Sequence, residues 1–472
     1  MLDKYILNQV LDEALKSGGD FAEIYVEEKN ISNIYYDDDK IESINSGREK
    51  GAVIRVIKQG NTAYVYTNDL STKSLLKAAE TASRAAGPNM INRSSIALNC
   101  KSINSQIRFQ PEQLSFADKI QHIVSANNIA RNFSKDIRQV TITLGEARKT
   151  VQIANSEGEL IEDERSRVRM SISAVAAQGN IVQTGYESAG EIGGWELLNK
   201  VSLDDMALNA AKLAVNMLSA QPAPVGKMPV VMSSTAGGTL VHEACGHGLE
   251  ADLVQKGLSV YKDNRGKQVA ASGVNIIDDA TIEGKYGSYQ FDDEGIRAQR
   301  KVLIENGELC GYMYDRLTAQ KDGTKSTGNG RRESYQHKPI PRMSNTMIGP
   351  GSEEPEQIIK STSHGLLVKK MGGGQVNTTN GDFVFEVQEA YLIENGEIKS
   401  PVRGAILTGN GPEVLKNIDS IGKDLGFGIG TCGKDGQGVA VGDAQPTIRI
   451  KQLTIGGTRM ADGPQIKRIR RK

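Results

Sequence analysis

Apolar residues near the start of the chain recur every three to four positions. Within residues 2–17, Ile6-Val10-Ala14 and Leu7-Leu11-Leu15 form two ridges at i+4 spacing, which predicts an amphipathic helix. Phe21 to Glu28 predicts a strand, and Gly51 to Tyr66 a hairpin turning at Gln59-Gly60-Asn61. Ser71 to Ala86 predicts a second helix, stopped by Gly87-Pro88. The same order then recurs. Ser115, with Asp118 three residues on, opens a helix, and Val140 to Leu144 predicts a strand. Arg167 to Tyr186 alternates, with Val168, Met170, Ile172 and Ala174 on one face and Arg167, Arg169, Ser171 and Ser173 on the other. That is the period of a half-buried strand. Its turn, Gln178-Gly179-Asn180, matches the first one, and Ser202 with Asp205 opens a closing helix. Two helix–strands–helix units are therefore expected to form one α+β N-terminal domain over residues 1–220.

Ser219 to Val225 is the clearest linker, because its two prolines cannot continue a helix. Beyond it, short strands with Gly turns dominate. Leu-Ile-Glu-Asn-Gly-Glu occurs at Leu303 to Glu308 and again at Leu392 to Glu397, and each Asn-Gly predicts a hairpin tip. A β-rich C-terminal domain is expected over residues 221–472, with one helix following the predicted strand Met228 to Met232 and capped by Ser233, Ser234 or Thr235.

Composition narrows the function classes. The 472 residues exceed one ordinary domain, and 51 glycines with few aromatics suit strands and turns. Lys plus Arg and Asp plus Glu balance at 57 each, so charge gives no reason to expect nucleic acid or an anionic membrane as partner. The one basic run, Lys467 to Lys472, reads as a solvated end. Four scattered cysteines without a CxxC pair predict reduced thiols and a cytoplasmic home. Asp3, Asp12 and Glu13 interrupt the first residues, which argues against a signal peptide, and no stretch reaches the roughly 18 apolar residues of a membrane span.

The chemistry concentrates in His242-Glu243-Ala244-Cys245-Gly246-His247, which holds two of the five histidines. Hydrolytic zinc sites need neutral imidazoles for the ion, a carboxylate to take a proton from water, and an open coordination position. His-Glu-x-x-His supplies imidazoles at i and i+4 on one helix face. Here the spacing is i and i+5, and on a regular α-helix five residues diverge by about 140°. A π-turn has that repeat, and Gly246 eases a local distortion. Other readings of the same residues stand beside this one. One is a helix with a surface His and a core His. Another uses His242 and Cys245 as ligands at i and i+3. A third makes Cys245 a nucleophile, although nothing in the sequence visibly activates it.

Continued to Asp252, the segment resembles the signature of the TldD/PmbA family of metalloproteases. The resemblance extends to Phe-Asp-Asp-Glu-Gly (Phe291 to Gly295), Ser-Thr-Gly-Asn-Gly-Arg-Arg (Ser326 to Arg332), Gly-Gly-Gly-Gln-Val (Gly372 to Val376) and Cys-Gly-Lys-Asp-Gly-Gln (Cys432 to Gln437). It implies metal ligands at His242, His247 and Cys432, one Zn²⁺ ion, and Glu243 as general base. Gly430, Gly433, Gly436 and Gly438 around Cys432 predict a tight loop. His337, Tyr335, Arg331 and Arg332 are candidates to stabilise the oxyanion, though a solvated loop is the plainer reading of each. The resemblance further implies cleavage of unfolded or flexible polypeptides by a homodimer, or by a heterodimer with a PmbA/TldE-like paralogue. An extended substrate adding to a sheet edge is one expected binding mode. The rival readings are a non-catalytic partner subunit and a metal-dependent amidohydrolase acting on a non-peptide bond. Gly372-Gly373-Gly374 lacks a following Gly-Lys-Ser/Thr, and Thr324-Lys325-Ser326 lacks the glycine a phosphate loop needs before its lysine. Asp292, Asp293 and Glu294 lack the spaced ligands of a calcium loop and read as a solvated turn.

Overall fold

The computed structural model describes residues 1–87, 97–102 and 111–457. Pro88 and the basic run Lys467 to Lys472 lie outside the described residues. Two sets of elements in the same order build the N-terminal part. The first is helix Lys4–Leu15, strands Phe21–Asp37, Lys40–Lys58 and Asn61–Thr67, and helix Thr72–Ala86. The second is helix Phe116–Phe133, strands Ile137–Asn155, Glu159–Gln178 and Ile181–Ile192, and helix Leu203–Leu218. Ser71, Ser115 and Ser202 each cap a helix by accepting from the backbone N–H three residues on. The strands run well past their apolar cores. The two turn tripeptides are also not equivalent: the first turn is Gln59-Gly60 and the second Gly179-Asn180.

Phe21–Asp37 pairs antiparallel with Ile137–Asn155, which fuses both sets, with the short strand Asn99–Ser102 beside Glu159–Gln178, into one seven-stranded sheet. One face is covered by the helices. Ala22, Ile24 and Val26 pack with the first helix pair, and Ile34 and Tyr36 with the second. The other face turns toward the C-terminal half, where Tyr25, Val53, Val151 and Ile161 meet Phe291 and Tyr335.

That half holds two large sheets around one core, beside a two-stranded one of Gly330–Arg331 and Ile340–Pro341. Six strands run in the order Glu308–Leu309, Arg300–Glu305, Ile276–Asp279, Asn345–Ile348, Gln437–Gln445, Gly426–Lys434. An eight-stranded sheet includes Gly226–Met232, His364–Val376, Asp382–Glu394 and Ile448–Gly457. Ile276, Ile348 and Val441 of the first pack with Val230, Val368 and Phe385 of the second. Both predicted tips are present, with Asn306-Gly307 and Asn395-Gly396 at positive φ, as type I′ turns require. The Ser219 to Val225 stretch contributes a short strand, Gln221–Pro222, to the larger sheet.

Two expectations fail here. Asp292, Asp293 and Glu294 are no solvated turn; they are buried, at 0%, 3% and 0% exposure. Arg331, Arg332 and Tyr335 are buried too. Arg55 pairs with Glu23 at 2.9 Å and Glu294 at 2.6 Å, Arg332 with Glu23 at 2.6 Å, and Arg165 with Asp163 and Asp293 at 2.6 Å each. Three of these pairs, Arg55 with Glu294, Arg332 with Glu23 and Arg165 with Asp293, stitch the N-terminal sheet to the C-terminal half. Asp293 and Glu294 look solvated in one dimension but meet arginines 128 and 239 residues away, while Asp292 is held by backbone N–H groups of its own turn.

Removing one partner of such a pair strands the other in a buried site. Arg332→Ala should therefore cost about 3–5 kcal/mol in urea unfolding, and a loss under ~1 kcal/mol would show that the pairs are dispensable. Asp278 provides a pH test. Burial opposes its ionisation, but Lys301 at 3.0 Å and hydrogen bonds from Ser344 and Asn329 outweigh it and hold its pKa at about 2. Its contribution is therefore fully present above the unfolded value of about 3.9 and is lost as pH falls through about 2. The stability gap between wild type and Asp278→Asn should narrow across that window; a gap independent of pH contradicts the assignment.

Candidate metal centre

Strand Gly226–Met232 leads to the histidine segment through a short 3₁₀ turn, Ser234–Ala236, capped by Ser233. The helix proper starts only at Thr239, so the predicted cap serves the turn before it. Gly237 sits at φ 71°, and a Cβ on Gly238 would meet Ala444 N at 2.2 Å. The two glycines let the helix start press against strand Gln437–Gln445, where Asp443 accepts from Gly238 N–H at 3.2 Å.

Thr239–Val241 then passes into a π-turn, His242–Gly246, in which His247 N–H donates to His242 C=O. The i+5 bond turns both imidazoles to one side, with ring centroids 5.0 Å apart and planes at 86°. Leu240, Val241, Ala244 and Cys245 face the core. Gly246 has an ordinary helical φ of −50°. Its need is space rather than unusual backbone, since a Cβ there would meet Met343 Sδ at 2.2 Å.

Cys432 arrives on the edge strand Gly426–Lys434, not in a loop; the loop is the Asp435-Gly436 turn beyond it. The candidate ligand atoms of His242, His247 and Cys432 all lie within 4.8 Å of one another. His247 Nε2 is 3.4 Å from Cys432 Sγ, and its Nδ1 is 3.0 Å from Glu250 Oε2. Glu250 is fully buried, and Lys434 Nζ lies 3.1 Å from the same oxygen. Burial works against its charge, but Lys434 and His247 outweigh burial and hold its pKa at about 2. Cys432 is held at about 5, burial being outweighed by hydrogen bonds and charge from both histidines. Burial opposes protonation of His242 and His247, yet their partners raise both, Cys432 for the first and Glu250 with Cys432 for the second. Two imidazoles and a readily ionised thiol, one ring oriented by a buried carboxylate, fit a transition-metal ion.

Glu243 lines a cavity of about 680 Å³ together with the three donors, Asp443 and the strand segment Gly372 to Val376. Burial pushes its carboxyl up, against the pull of His242 and His247. The triple glycine is thus strand backbone walling this cavity. Cys245 lies outside the cluster: its thiol donates to Val241 C=O at 3.3 Å, and burial pushes its pKa far up, so it is neither ligand nor activated nucleophile. None of His337, Tyr335, Arg331 and Arg332 lines this cavity. Glu250, Lys434 and Asp443 escaped the sequence reading. Glu250 stands three residues after His247, a helical neighbour's spacing and the one signal that pointed to it.

A donor set of this kind, on a turn held between two β-sheets, forms a candidate metal centre. Residues 225–457, 109–218 and 22–86 match the family descriptions PmbA/TldA metallopeptidase C-terminal domain, central domain and domain 1. The chain is 36% identical over 442 residues to a metalloprotease of Methanothermobacter thermautotrophicus, covering 93% of this chain and 96% of the relative. It is 35% identical over 463 residues to a metalloprotease TldD homolog of Buchnera aphidicola, covering 95% of each. The crystal structure of TldE from Thermococcus kodakarensis shares the fold, with a TM-score of 0.77 and 20% identity, over 96% of this chain and 100% of that one. The chain belongs to the PmbA/TldD family of metallopeptidases.

Glu250→Gln keeps the shape but removes the charge that orients His247. It should weaken affinity for a divalent transition metal about 10- to 100-fold in chelator competition, with the far-ultraviolet circular dichroism unchanged. Unaltered affinity would assign Glu250 to the Lys434 ion pair alone.

Proposed function

We propose that the chain is a zinc-dependent endopeptidase subunit that hydrolyses peptide bonds in unfolded or flexible polypeptides. The observation that carries this reading is the convergence of two imidazoles and a thiol within 4.8 Å, beside Glu243, at one cavity wall. His242, His247 and Cys432 hold the ion. Zinc bound there would supply Lewis acidity to the hydrolysis.

Glu243 is the general base. It takes the proton of the attacking water and later delivers a proton to the leaving amine. Its position supports both roles, because Glu243 lines the same cavity as the three candidate donors. The substrate backbone adds as a strand to the free edge of Gly426–Lys434. Among the described residues that strand pairs only with Gln437–Gln445, and Ile429 to Gly433 line the cavity. Pairing through main-chain groups suits unfolded chains of varied sequence.

The subunit acts as a homodimer or with a TldE-like paralogue, in the cytoplasm. The free state of all four cysteines supports a reducing compartment. No helix among the described residues is long and apolar enough to cross a membrane.

A peptide-library or casein assay with a chelator control tests the reading. Glu243→Gln should lower kcat by about 10²- to 10⁴-fold while retaining the metal. His247→Ala and Cys432→Ser should lose the metal itself. Full cleavage by the first variant, or full occupancy in either of the others, contradicts the assigned roles.

A further inference from the structure

A second cavity, of about 600 Å³, lies between the N-terminal sheet and the C-terminal half. It shares Thr431 with the metal cavity, and Thr431 directly precedes Cys432. The two cavities therefore meet at one strand. Alternation along Glu159–Gln178 sends Arg165, Arg167 and Arg169 to the same face, and that face is a wall of the second cavity.

Two of the three carboxylates lining it are paired with cations, and the third, Glu333, accepts a backbone N–H. Glu146 accepts from Lys119 at 2.7 Å, Asp293 from Arg165 at 2.6 Å, and Glu333 from Gly438 N–H at 2.6 Å. Lys149 and Arg332 are neutralised from outside the cavity, by Glu27 at 2.9 Å and Glu23 at 2.6 Å. Lys29, Arg167, Arg169 and Arg331 have no carboxylate partner among the described residues. Arg167 donates to Tyr286 C=O at 2.9 Å and Ser288 C=O at 2.7 Å, and Arg331 to the carbonyls of Met343 and Ala440. Arg169 reaches the Tyr186 hydroxyl at 3.2 Å. Such acceptors satisfy N–H groups without cancelling charge. Burial, with help from neighbouring arginines, outweighs the opposing pull of Asp293 and nearby tyrosines and holds Arg167 and Arg331 below the usual guanidinium range. Cations gathered in a low-dielectric pocket attract an anion.

We propose that this cavity binds a carboxylate of the peptide being cleaved, that of an acidic side chain near the scissile bond, through Arg169, Arg167 and Arg331. The assignment rests on the peptidase reading above. A peptide lying along the free edge of Gly426–Lys434 projects successive side chains to opposite faces of the sheet. Cys432 and Thr431 lie on opposite faces of that strand, and Thr431 borders both the metal cavity and the cavity of the arginines. Acidic peptides are then the preferred substrate class.

The test uses the full-length, metal-loaded Glu243→Gln protein, so that binding is read without turnover. Peptide twins carry Glu or Gln at each position flanking the scissile bond, and Kd is read by fluorescence anisotropy. At one or more positions the Glu peptide should bind about tenfold more tightly, the scale of one charge-assisted contact, and the difference should shrink with salt. Adding Arg169→Gln should erase the difference, and Arg169→Lys should keep part of it. Thermal melting checks that each variant is folded, with Lys29→Gln as the second probe. Equal Kd values for the twins at every position overturn the proposal. So does inorganic phosphate binding to these arginines without any difference between twins, which would mark a free-anion site. If wild type cleaves neither twin while the binding difference persists, the peptidase reading fails and the carboxylate site stands.

Discussion

The site depends on one hydrogen bond, from His247 N–H to His242 C=O. With a regular i+4 ladder, the two imidazoles would point about 140° apart. The i+5 bond brings them within contact of each other and of one sulfur. A π-turn is unfavourable alone and persists only where its surroundings determine it. Here they do. Ala244 and Cys245 are clamped in the core, Met343 presses on Gly246, and Gly411 packs so closely on Ala244 C=O that a Cβ would reach it at 2.1 Å.

The third donor comes from the opposite kind of element. Cys432 lies near the end of an edge strand whose partner, Gln437–Gln445, is anchored between Asn345–Ile348 and the edge. Arg342, buried behind it, donates to Cys432 C=O and Gln437 C=O, fixing the hairpin's position relative to the π-turn. Lys434 then ties the hairpin to Glu250 and Asp252 on the histidine side. Ligand placement is thus a property of sheet packing and buried charge together. Neither segment holds the geometry alone.

The same economy of charge shapes the junction between halves. Glu23, Asp163, Asp293 and Glu294 are taken up by Arg55, Arg165 and Arg332. The remaining arginines on that face are left with carbonyls and a hydroxyl. One hairpin therefore separates a cavity rich in metal donors from a cavity rich in unneutralised cations, and a chain laid along its edge meets both.

Local information carried far in this protein. Helix starts at Ser71, Ser115 and Ser202, the Asn-Gly tips, the alternation after Arg167 and the five-residue histidine spacing all state physics that acts within a few residues. They are legible because capping, turn geometry and side-chain period are short-range. Cys432 joined the site only through resemblance, since no periodicity links it to residues some 185 positions earlier. Tertiary structure alone decided that Asp292 to Glu294 are buried, that Gly246 is there for Met343, that Cys245 belongs to the core, and which arginines stay unpaired. Burial and ion pairing are set by what folds against a segment, and that partner is absent from the segment's own sequence.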